Sequence, residues 1–299
     1  MCKFNKKFII IFIIILFYRY YFYFSINNNK VIFTFWEPKK KIPGYLSLCI
    51  KTWKKYLPEY KVIVLDYKKS KYYLGEKLYS SIICNDMHPM VQADAIRVAI
   101  LCKYGGIWMD ADNILINGSF IQRFNNFELG MIWDKSSQFP FIGFIIASKN
   151  SVILNEWLKK IIRNVKKFKE IMTKKENTTN WFKSWKSVYN WYYLGNGILN
   201  PLIKNITDKK FLGIDRNYIK VFPELLYTNK YSIGFSYKLY NLFFFEKGDP
   251  LLVLNYSKDF VFLQNSWTPL KYKAMSEKEF LNQDILLSKL LGILLKDKS

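Results

Sequence analysis

Two acidic residues, Asp110 and Asp112, stand one residue apart at the end of a short apolar segment that follows Tyr104-Gly105-Gly106. If that segment is a strand, alternation places both carboxylates on the same side. Like charges at such short range raise each other's pKa unless a cation lies between them. Carboxylate oxygens suit Mg²⁺ or Mn²⁺, and either ion can also hold a diphosphate. The spacing therefore predicts a divalent-metal site, although Asp-x-Asp also occurs in turns and helix caps.

A second candidate pair, Asp94 and Arg97, lies three residues apart in a segment that is predicted to be helical from Pro89 to about Lys103. The pair shares a helix face beside the apolar core stripe. One interpretation is a local ion pair, which contributes little to stability. The other is a carboxylate and a guanidinium that bind sugar hydroxyls beside a diphosphate. One helix, a glycine turn and one strand separate Asp94 from Asp110, so both can meet at one rim of a sheet.

The elements that position these residues alternate between strand and helix along 30–275. Apolar runs of strand length and helical periodicity predict a largely parallel α/β sheet that is covered on both faces. The predicted strands are 31–36, 60–65, 127–133 and 141–147, and the predicted helices are 44–57, 89–103, 151–172 and 186–193. One domain of this size can bury a substantial core.

The charge balance is strongly basic, with 46 Lys and Arg against 23 Asp and Glu, for a formal net charge of +23. The basic residues are spread along the chain without an Arg-rich block, so we expect no nucleic-acid partner. Anionic membrane lipids or a diphosphate substrate suit the excess charge. The cysteines lack metal-ligand spacing, and a single histidine, His88, argues against a Ser-His-Asp or a His-rich zinc site.

The N-terminal residues 1–24 are predicted to form an uncleaved hydrophobic membrane anchor, followed by a polar linker at 25–29. An apolar run from Phe8 to Phe17 lies between N-terminal lysines and an aromatic collar that contains Arg19. The positive-inside rule gives two alternatives: attachment to the cytoplasmic face of a bacterial inner membrane, or a type II Golgi protein. Four glycosylation sequons are compatible with the second, beginning at Asn117, Asn177, Asn205 and Asn255.

The C-terminal segment 276–299 is predicted to be an amphipathic helix. It opens with a capping box, Ser276-x-x-Glu279, and continues with a leucine stripe that includes Leu287 and Leu294. Such a stripe packs on its own domain or, less commonly, lies on a membrane surface.

The runs Gln92-Ala93-Asp94-Ala95-Ile96-Arg97 and Tyr104-Gly105-Gly106-Ile107-Trp108-Met109-Asp110-Ala111-Asp112 resemble a family of sugar-binding glycosyltransferases with a DXD motif. The family is glycosyltransferase family 32-like and includes Och-type mannosyltransferases and glucosylating clostridial toxins. The opening Ile32-Phe33-Thr34-Phe35-Trp36-Glu37-Pro38 looks most like the bacterial capsular polysaccharide synthesis proteins. The resemblance spans about 30–270, and it implies a GT-A fold with the nucleotide at the carboxyl ends of the strands.

The resemblance also implies a role for each matching residue. Trp36 would stack on the nucleobase, while Asp94 and Arg97 would contact the ribose and the donor sugar. Asp110 would contact ribose and metal, and Asp112 would bind the metal directly. The implied cofactor is Mn²⁺ or Mg²⁺, and the implied donor is a nucleotide-diphosphate sugar.

A late metal ligand in this family often lies next to a Ser-Trp pair, and Asn265-Ser266-Trp267 occupies that place here. Ser266 and Trp267 would belong to the nucleotide site. Many relatives have a histidine in this region, and this chain has none after His88. Asn265, Ser266 or a water molecule must then complete the metal shell.

These features predict a metal-dependent glycosyltransferase that retains anomeric configuration and acts on a glycan or lipid-linked acceptor in capsule or lipopolysaccharide synthesis. The alternative is a basic, membrane-anchored protein that binds a sugar nucleotide without catalysis. The absent late histidine favours this alternative, and the intact set Asp94, Arg97, Asp110 and Asp112 argues against it.

Overall fold

The structure, a computed structural model, describes residues 30–134, 139–175, 193–204, 210–215, 241–263, 265 and 268–296. The predicted anchor and linker at 1–29, Ser266, Trp267 and all but the last residue of the predicted helix 186–193 lie outside these ranges. Within the described ranges, every helix is too short or too polar to cross a membrane.

The centre of the fold is a six-stranded sheet with the order β2-β1-β3-β6-β5-β7. Only β6 is antiparallel to its neighbours, so the other five strands run in one direction. Two further strands, β4 and β8, pair with each other outside this sheet. The described strands are β1 (Val31–Phe35), β2 (Lys61–Leu65), β3 (Gly106–Met109), β4 (Asn113–Leu115), β5 (Leu129–Asp134), β6 (Phe139–Ala147), β7 (Phe211–Asp215) and β8 (Phe260–Phe262).

Helices cover both faces of the sheet. Adjacent residues of β1 show this, because Ile32 belongs to one buried apolar cluster and Phe33 to the other, as strand alternation requires. The described helices are α1 (Gly44–Tyr56), α2 (Tyr67–Leu74), α3 (Glu76–Ile82), α4 (Pro89–Tyr104), α5 (Val152–Lys175), α6 (Asn196–Ile203), α7 (Pro250–Tyr256), α8 (Leu270–Lys273), α9 (Glu277–Leu281) and α10 (Leu286–Leu295). The cluster that contains Ile32 includes α1 and the C-terminal helices, and the other includes α2 to α6. The predicted α/β architecture is confirmed.

Helix α4 carries Asp94 and Arg97 to the sheet. It begins after His88, whose Nδ1 accepts a hydrogen bond of 3.3 Å from the Met90 N–H, and Pro89 occupies its first turn. It ends at Tyr104, after which Gly105 and Gly106 adopt positive φ angles of 68° and 95° and turn the chain into β3.

The prediction that Asp94 and Arg97 lie beside the apolar stripe of α4 is wrong in one respect, since both residues are buried, with exposed fractions of 8% and 5%. The physical reason is that α4 packs against β1 and β3 and also against the neighbouring helices α2, α3 and α5. The helix is therefore covered on most sides, and a pair placed beside its core stripe still lies inside the protein.

The C-terminal segment forms two helices, α9 and α10, where the sequence suggested one. The capping box of Ser276 and Glu279 is present at the start of α9. The break falls at Asn282-Gln283-Asp284, and Asp284 pairs with two lysines at 2.7 Å rather than continuing the helix. The leucine stripe of α10 is buried against α1 in the same apolar cluster as β1. This segment therefore packs on its own domain.

Candidate active site

The Asp-x-Asp sequence lies where β3 ends. Strand β3 stops at Met109, and Asp110 follows it directly, with its N–H donating to Gly143 O at 2.8 Å. Asp112 lies in a turn, closed by a 3.0 Å bond from the Asn113 N–H to Asp110 O, that leads into β4. The prediction that strand alternation places both carboxylates on one side is therefore wrong in its reason. A turn after the strand, rather than the strand itself, positions Asp112.

Arg97 joins α4 to the end of β3. Its Nη1 donates to Asp94 Oδ1 at 2.8 Å and its Nη2 donates to Asp110 Oδ1 at 2.7 Å. The Trp108 Nε1–H donates to the same Asp110 oxygen at 2.7 Å, and the guanidinium lies over the Trp108 ring at 5.1 Å. These contacts hold both carboxylates in place, because the guanidinium fork is rigid and the side chains of Arg97 and Asp94 are buried. The structure thus brings Asp94, Arg97 and Asp110 together.

The site carries more negative than positive charge. Burial raises the pKa of Asp94 to about 6, with Arg97 acting to lower it and Asp110 to raise it. Burial also raises the pKa of Asp112 to about 7, and the negative charge of Asp110 adds to that effect. Three carboxyl groups share the single guanidinium of Arg97, so ionising all of them leaves an excess of negative charge. A bound cation would relieve that excess.

Asn265 lies directly against Asp112. The Asn265 N–H donates to Asp112 Oδ2 at 2.8 Å, and the Tyr45 hydroxyl, which is buried, donates to the Asn265 side-chain oxygen. Tyr45 also lies 3.1 Å from the Thr268 hydroxyl. The chain segment in which we predicted a late ligand therefore reaches the Asp-x-Asp turn.

Trp36 lies at the same edge of the sheet as the carboxylates. It follows β1, and its N–H donates to Leu65 O at 2.9 Å at the end of β2. Strands β1 and β3 are parallel, with Phe33 paired to Trp108, so Trp36 is in register with the residues just after Met109. Its side chain is only partly buried and packs against the apolar cluster that contains Ile32. The indole therefore contacts the core and stays partly exposed.

The donor atoms fit a hard divalent cation. Asp110 Oδ1 is bound to Arg97 and Trp108, and Asp112 Oδ2 is bound to the Asn265 N–H, which leaves the second oxygen of each carboxylate for a ligand. Among the described residues no group of three or more His, Cys, Asp or Glu is placed to hold a metal ion. The protein would thus supply two carboxylate oxygens. Water and substrate phosphates would supply the rest, as is usual for Mg²⁺.

The raised pKa values predict how stability depends on pH. Because the folded-state pKa of Asp94 (about 6) and of Asp112 (about 7) exceeds the ordinary carboxyl value, the folded protein binds more protons than the unfolded chain between about pH 4 and 7. We expect the Tm of metal-free protein to fall between pH 5 and pH 8. Mn²⁺ should raise the Tm more at pH 8, because it binds the ionised carboxylates. A Tm that rises over this range, or an equal effect of Mn²⁺ at both pH values, would contradict the assignment.

Sequence reasoning missed several residues of this site. Trp108 precedes Asp110 by two positions, and strand alternation was a signal that it shares a side with Asp110. Tyr45 carries no such signal, because 220 residues separate it from its partner Asn265. Gly143 and Gly195 were also missed. In the structure, a Cβ on Gly143 would lie within 3 Å of an Asp110 oxygen, and a Cβ on Gly195 would lie within 3 Å of an Asp94 oxygen.

A sequence profile of the capsular polysaccharide synthesis protein family matches residues 11–222. The chain belongs to this family. The matched range includes Trp36, Asp94, Arg97, Asp110 and Asp112, and it ends before Asn265. The resemblance that we inferred from the sequence is thereby confirmed. No curated protein is significantly similar to this chain in sequence.

Three solved structures that match this chain are glycosyltransferases of low sequence identity. The PaToxG glycosyltransferase is 17% identical over 61% of this chain and 74% of its own, with a TM-score of 0.38. The galactosyltransferase LgtC, in complex with donor and acceptor sugar analogs, is 11% identical over 90% of this chain and 98% of its own, with a TM-score of 0.43. The glycosyltransferase GlyE of Streptococcus pneumoniae TIGR4 is 13% identical over 90% of this chain and 65% of its own, with a TM-score of 0.39.

The fold class rests on the strand order of the protein itself. The predicted GT-A class required a mostly parallel, Rossmann-like sheet with helices on both faces, and the six-stranded sheet has this arrangement. The acidic residues lie past the carboxyl ends of its parallel strands, where α/β sheets bind their ligands.

Proposed function

We propose that this protein is a metal-dependent glycosyltransferase that transfers a sugar from a nucleotide-diphosphate donor. The observation that carries the proposal is the buried bridge from Asp94 through Arg97 to Asp110, next to Asp112, at the carboxyl edge of the sheet. We further propose, from the family, that the acceptor is a glycan or a lipid-linked sugar in surface polysaccharide synthesis. The resemblance also favours retention of anomeric configuration.

Each residue has a role in this proposal. Asp110 and Asp112 would present their free carboxylate oxygens to the cation. Asp94 would accept hydrogen bonds from donor-sugar or ribose hydroxyls, and Arg97 would hold Asp94 and Asp110 in fixed orientations. When bound, a Mn²⁺ or Mg²⁺ ion would offset the negative charge that grows on the departing diphosphate.

Calorimetric titration with nucleoside diphosphates tests the proposal. UDP and GDP are the first probes, each titrated with Mn²⁺ and with a chelator. We expect one of them to bind only when Mn²⁺ is present, since the paired carboxylates repel a diphosphate without a cation. Binding that is equally tight in chelator would contradict the metal role.

Replacement of Trp36 separates base stacking from core packing. If the indole stacks on the nucleobase, Trp36→Ala should weaken nucleoside-diphosphate binding by about 1–3 kcal/mol, which is the range for aromatic stacking on a base. Trp36→Phe should recover part of this loss. Calorimetric titration and a thermal melt of each variant provide the two readouts. Unchanged affinity with a stability loss of about 3–5 kcal/mol, the cost of truncating a core aromatic side chain, would assign Trp36 to the core alone.

We also propose that residues 1–24 attach the protein to a membrane, at the cytoplasmic face of a bacterial inner membrane. The support is the apolar run from Phe8 to Phe17 behind three lysines. The type II Golgi arrangement is the alternative topology.

Fractionation of the full-length chain tests this attachment. We expect the protein in the membrane fraction, and we expect Ile13→Asp to shift it toward the soluble fraction, because an Asp at the centre of an apolar segment costs about 2.5–3.5 kcal/mol. The purified variant should keep donor hydrolysis. A wild-type protein that is wholly soluble would contradict the anchor.

A further inference from the structure

Two glycines from different elements lie against the two carboxylates that Arg97 joins. A Cβ on Gly195, which precedes α6, would lie 2.7 Å from Asp94 Oδ2. A Cβ on Gly143, in β6, would lie 2.8 Å from Asp110 Oδ2 and also against the Phe141 ring. In each carboxylate, Oδ1 accepts from Arg97 and Oδ2 faces the glycine. In each carboxylate the guanidinium therefore holds one oxygen, and the absence of a glycine side chain leaves room beside the other.

The backbone at Gly195 is held in place by α5. The buried Trp157 Nε1–H donates to Leu194 O at 2.7 Å, and the Tyr193 hydroxyl donates to Asn164 O at 3.2 Å. The Ile198 N–H then donates to Gly195 O at 3.0 Å in the first turn of α6. This turn is tied to the long helix α5 and begins α6. A side chain at position 195 would therefore displace Asp94 more readily than it would displace the turn.

We propose that Gly195 and Gly143 are positioning residues, which set the orientations of the Asp94 and Asp110 carboxylates for the donor. This inference rests on the proposed glycosyltransferase function for its substrate. Of the two contacts proposed for Asp94, we assign it here to the donor sugar rather than to the ribose, and we keep Asp110 with the nucleotide and cation. The two glycines then act on different parts of one ligand. Gly195 controls use of the sugar, and Gly143 controls binding of the nucleoside diphosphate.

The first test compares Gly195→Ala and Gly143→Ala with Gly292→Ala, whose Cβ would meet nothing within 4 Å. For Gly195→Ala we expect kcat/KM for the nucleotide sugar that the wild type hydrolyses to fall by about 100-fold, as misplacement of a positioning group can cause. Its Kd for the nucleoside diphosphate alone should stay unchanged. Gly143→Ala should weaken nucleoside-diphosphate binding as well, and Gly292→Ala should change neither. The proposal would be overturned if Gly195→Ala and Gly143→Ala lost donor hydrolysis and nucleoside-diphosphate binding to the same degree. It would also be overturned if neither variant lost either property.

A double-mutant cycle links Gly195 to Asp94. If Gly195→Ala acts by displacing the carboxylate, it should add no further loss of activity to Asp94→Asn, because the two changes damage the same contact. Where Gly195→Ala lowers Tm, Asp94→Ser should relieve that loss, since the shorter side chain removes the clash. Additive losses of activity, or a Tm defect that Asp94→Ser leaves in place, would overturn the role of Gly195. The Tm measurements need no substrate. They therefore test the link to Asp94 even if the wild type turns over no nucleotide sugar. Such a lack of turnover would count against the proposed function alone.

Discussion

Asp112→Asn should remove most glycosyl transfer, by about 100-fold or more in kcat, while the protein folds normally. The expected size is that of removing one electrostatic partner of a developing negative charge. The asparagine keeps the shape of the side chain, and its oxygen can still accept the hydrogen bond from the Asn265 N–H. Removing the charge also removes the cost of burying it and the repulsion from Asp110, which together raise the pKa of Asp112 in the wild type. We therefore expect the metal-free variant to be more stable than wild type at pH 8 and to differ little at pH 5.

The measurements for Asp112→Asn are donor hydrolysis at limiting Mn²⁺ and a thermal melt in metal-free buffer. Asp259→Asn is a matched control, because Asp259 is also buried with a raised pKa but lies beside β8, and its backbone oxygen bonds to Ile116. The control should keep its dependence on Mn²⁺. Near wild-type turnover of Asp112→Asn at limiting Mn²⁺ would exclude Asp112 as a metal ligand.

Arg97→Gln should cause the largest loss of stability, about 3–5 kcal/mol in the free energy of unfolding, which is the usual cost of removing one partner of a buried ion pair. The Arg97 side chain is 6% exposed and faces two carboxylates at 2.7–2.8 Å. Without it, the pKa of Asp94, which Arg97 lowers in the wild type, should rise further, so the stability of the variant should fall more steeply with pH than that of wild type. Denaturant unfolding at pH 5 and pH 8 measures both effects.

Lys159→Gln is the control for Arg97, because Lys159 forms an ion pair with Glu156 at the surface, also at a spacing of three residues in a helix. Its loss should change stability by no more than about 0.5 kcal/mol. Arg97→Lys should restore part of the stability but little activity, since one ammonium cannot hold both carboxylates in place. An Arg97→Gln variant as stable as the Lys159→Gln control would contradict the role of this bridge.

The sequence predicted the parts of the fold that follow from local patterns. The strand from Val31, the helix from Gly44 and the helix from Pro89 begin where apolar periodicity and the proline or glycine signals placed them. The glycine pair that ends α4 also led to the correct place for Asp110, directly after β3. These features depend on neighbours in the chain, which is why periodicity and turn chemistry find them.

Contacts between distant segments were beyond the sequence. The burial of Asp94 and Arg97 depends on α2, α3 and α5 packing around α4, and periodicity within α4 carries no record of them. The contact of Tyr45 with Asn265, and that of Gly195 with Asp94, likewise join segments that meet only in the folded chain. The turn at Asp112 was missed for a different reason, because the Asp-x-Asp spacing at a strand end fits strand alternation as well as a turn, and only residues 110–112 separate β3 from β4.

The most direct test of the account is hydrolysis of a panel of nucleotide sugars by the purified full-length protein, with Mn²⁺ and with a chelator. We predict that the wild type slowly hydrolyses a donor in the panel without any acceptor. This activity should be lost in chelator and should recover when Mn²⁺ is added. In Asp112→Asn it should not recover. Hydrolysis that continues unchanged in chelator would contradict the metal-dependent mechanism. Binding of a nucleotide sugar without turnover, with Mn²⁺ present, would contradict catalysis and identify a sugar-nucleotide-binding protein instead.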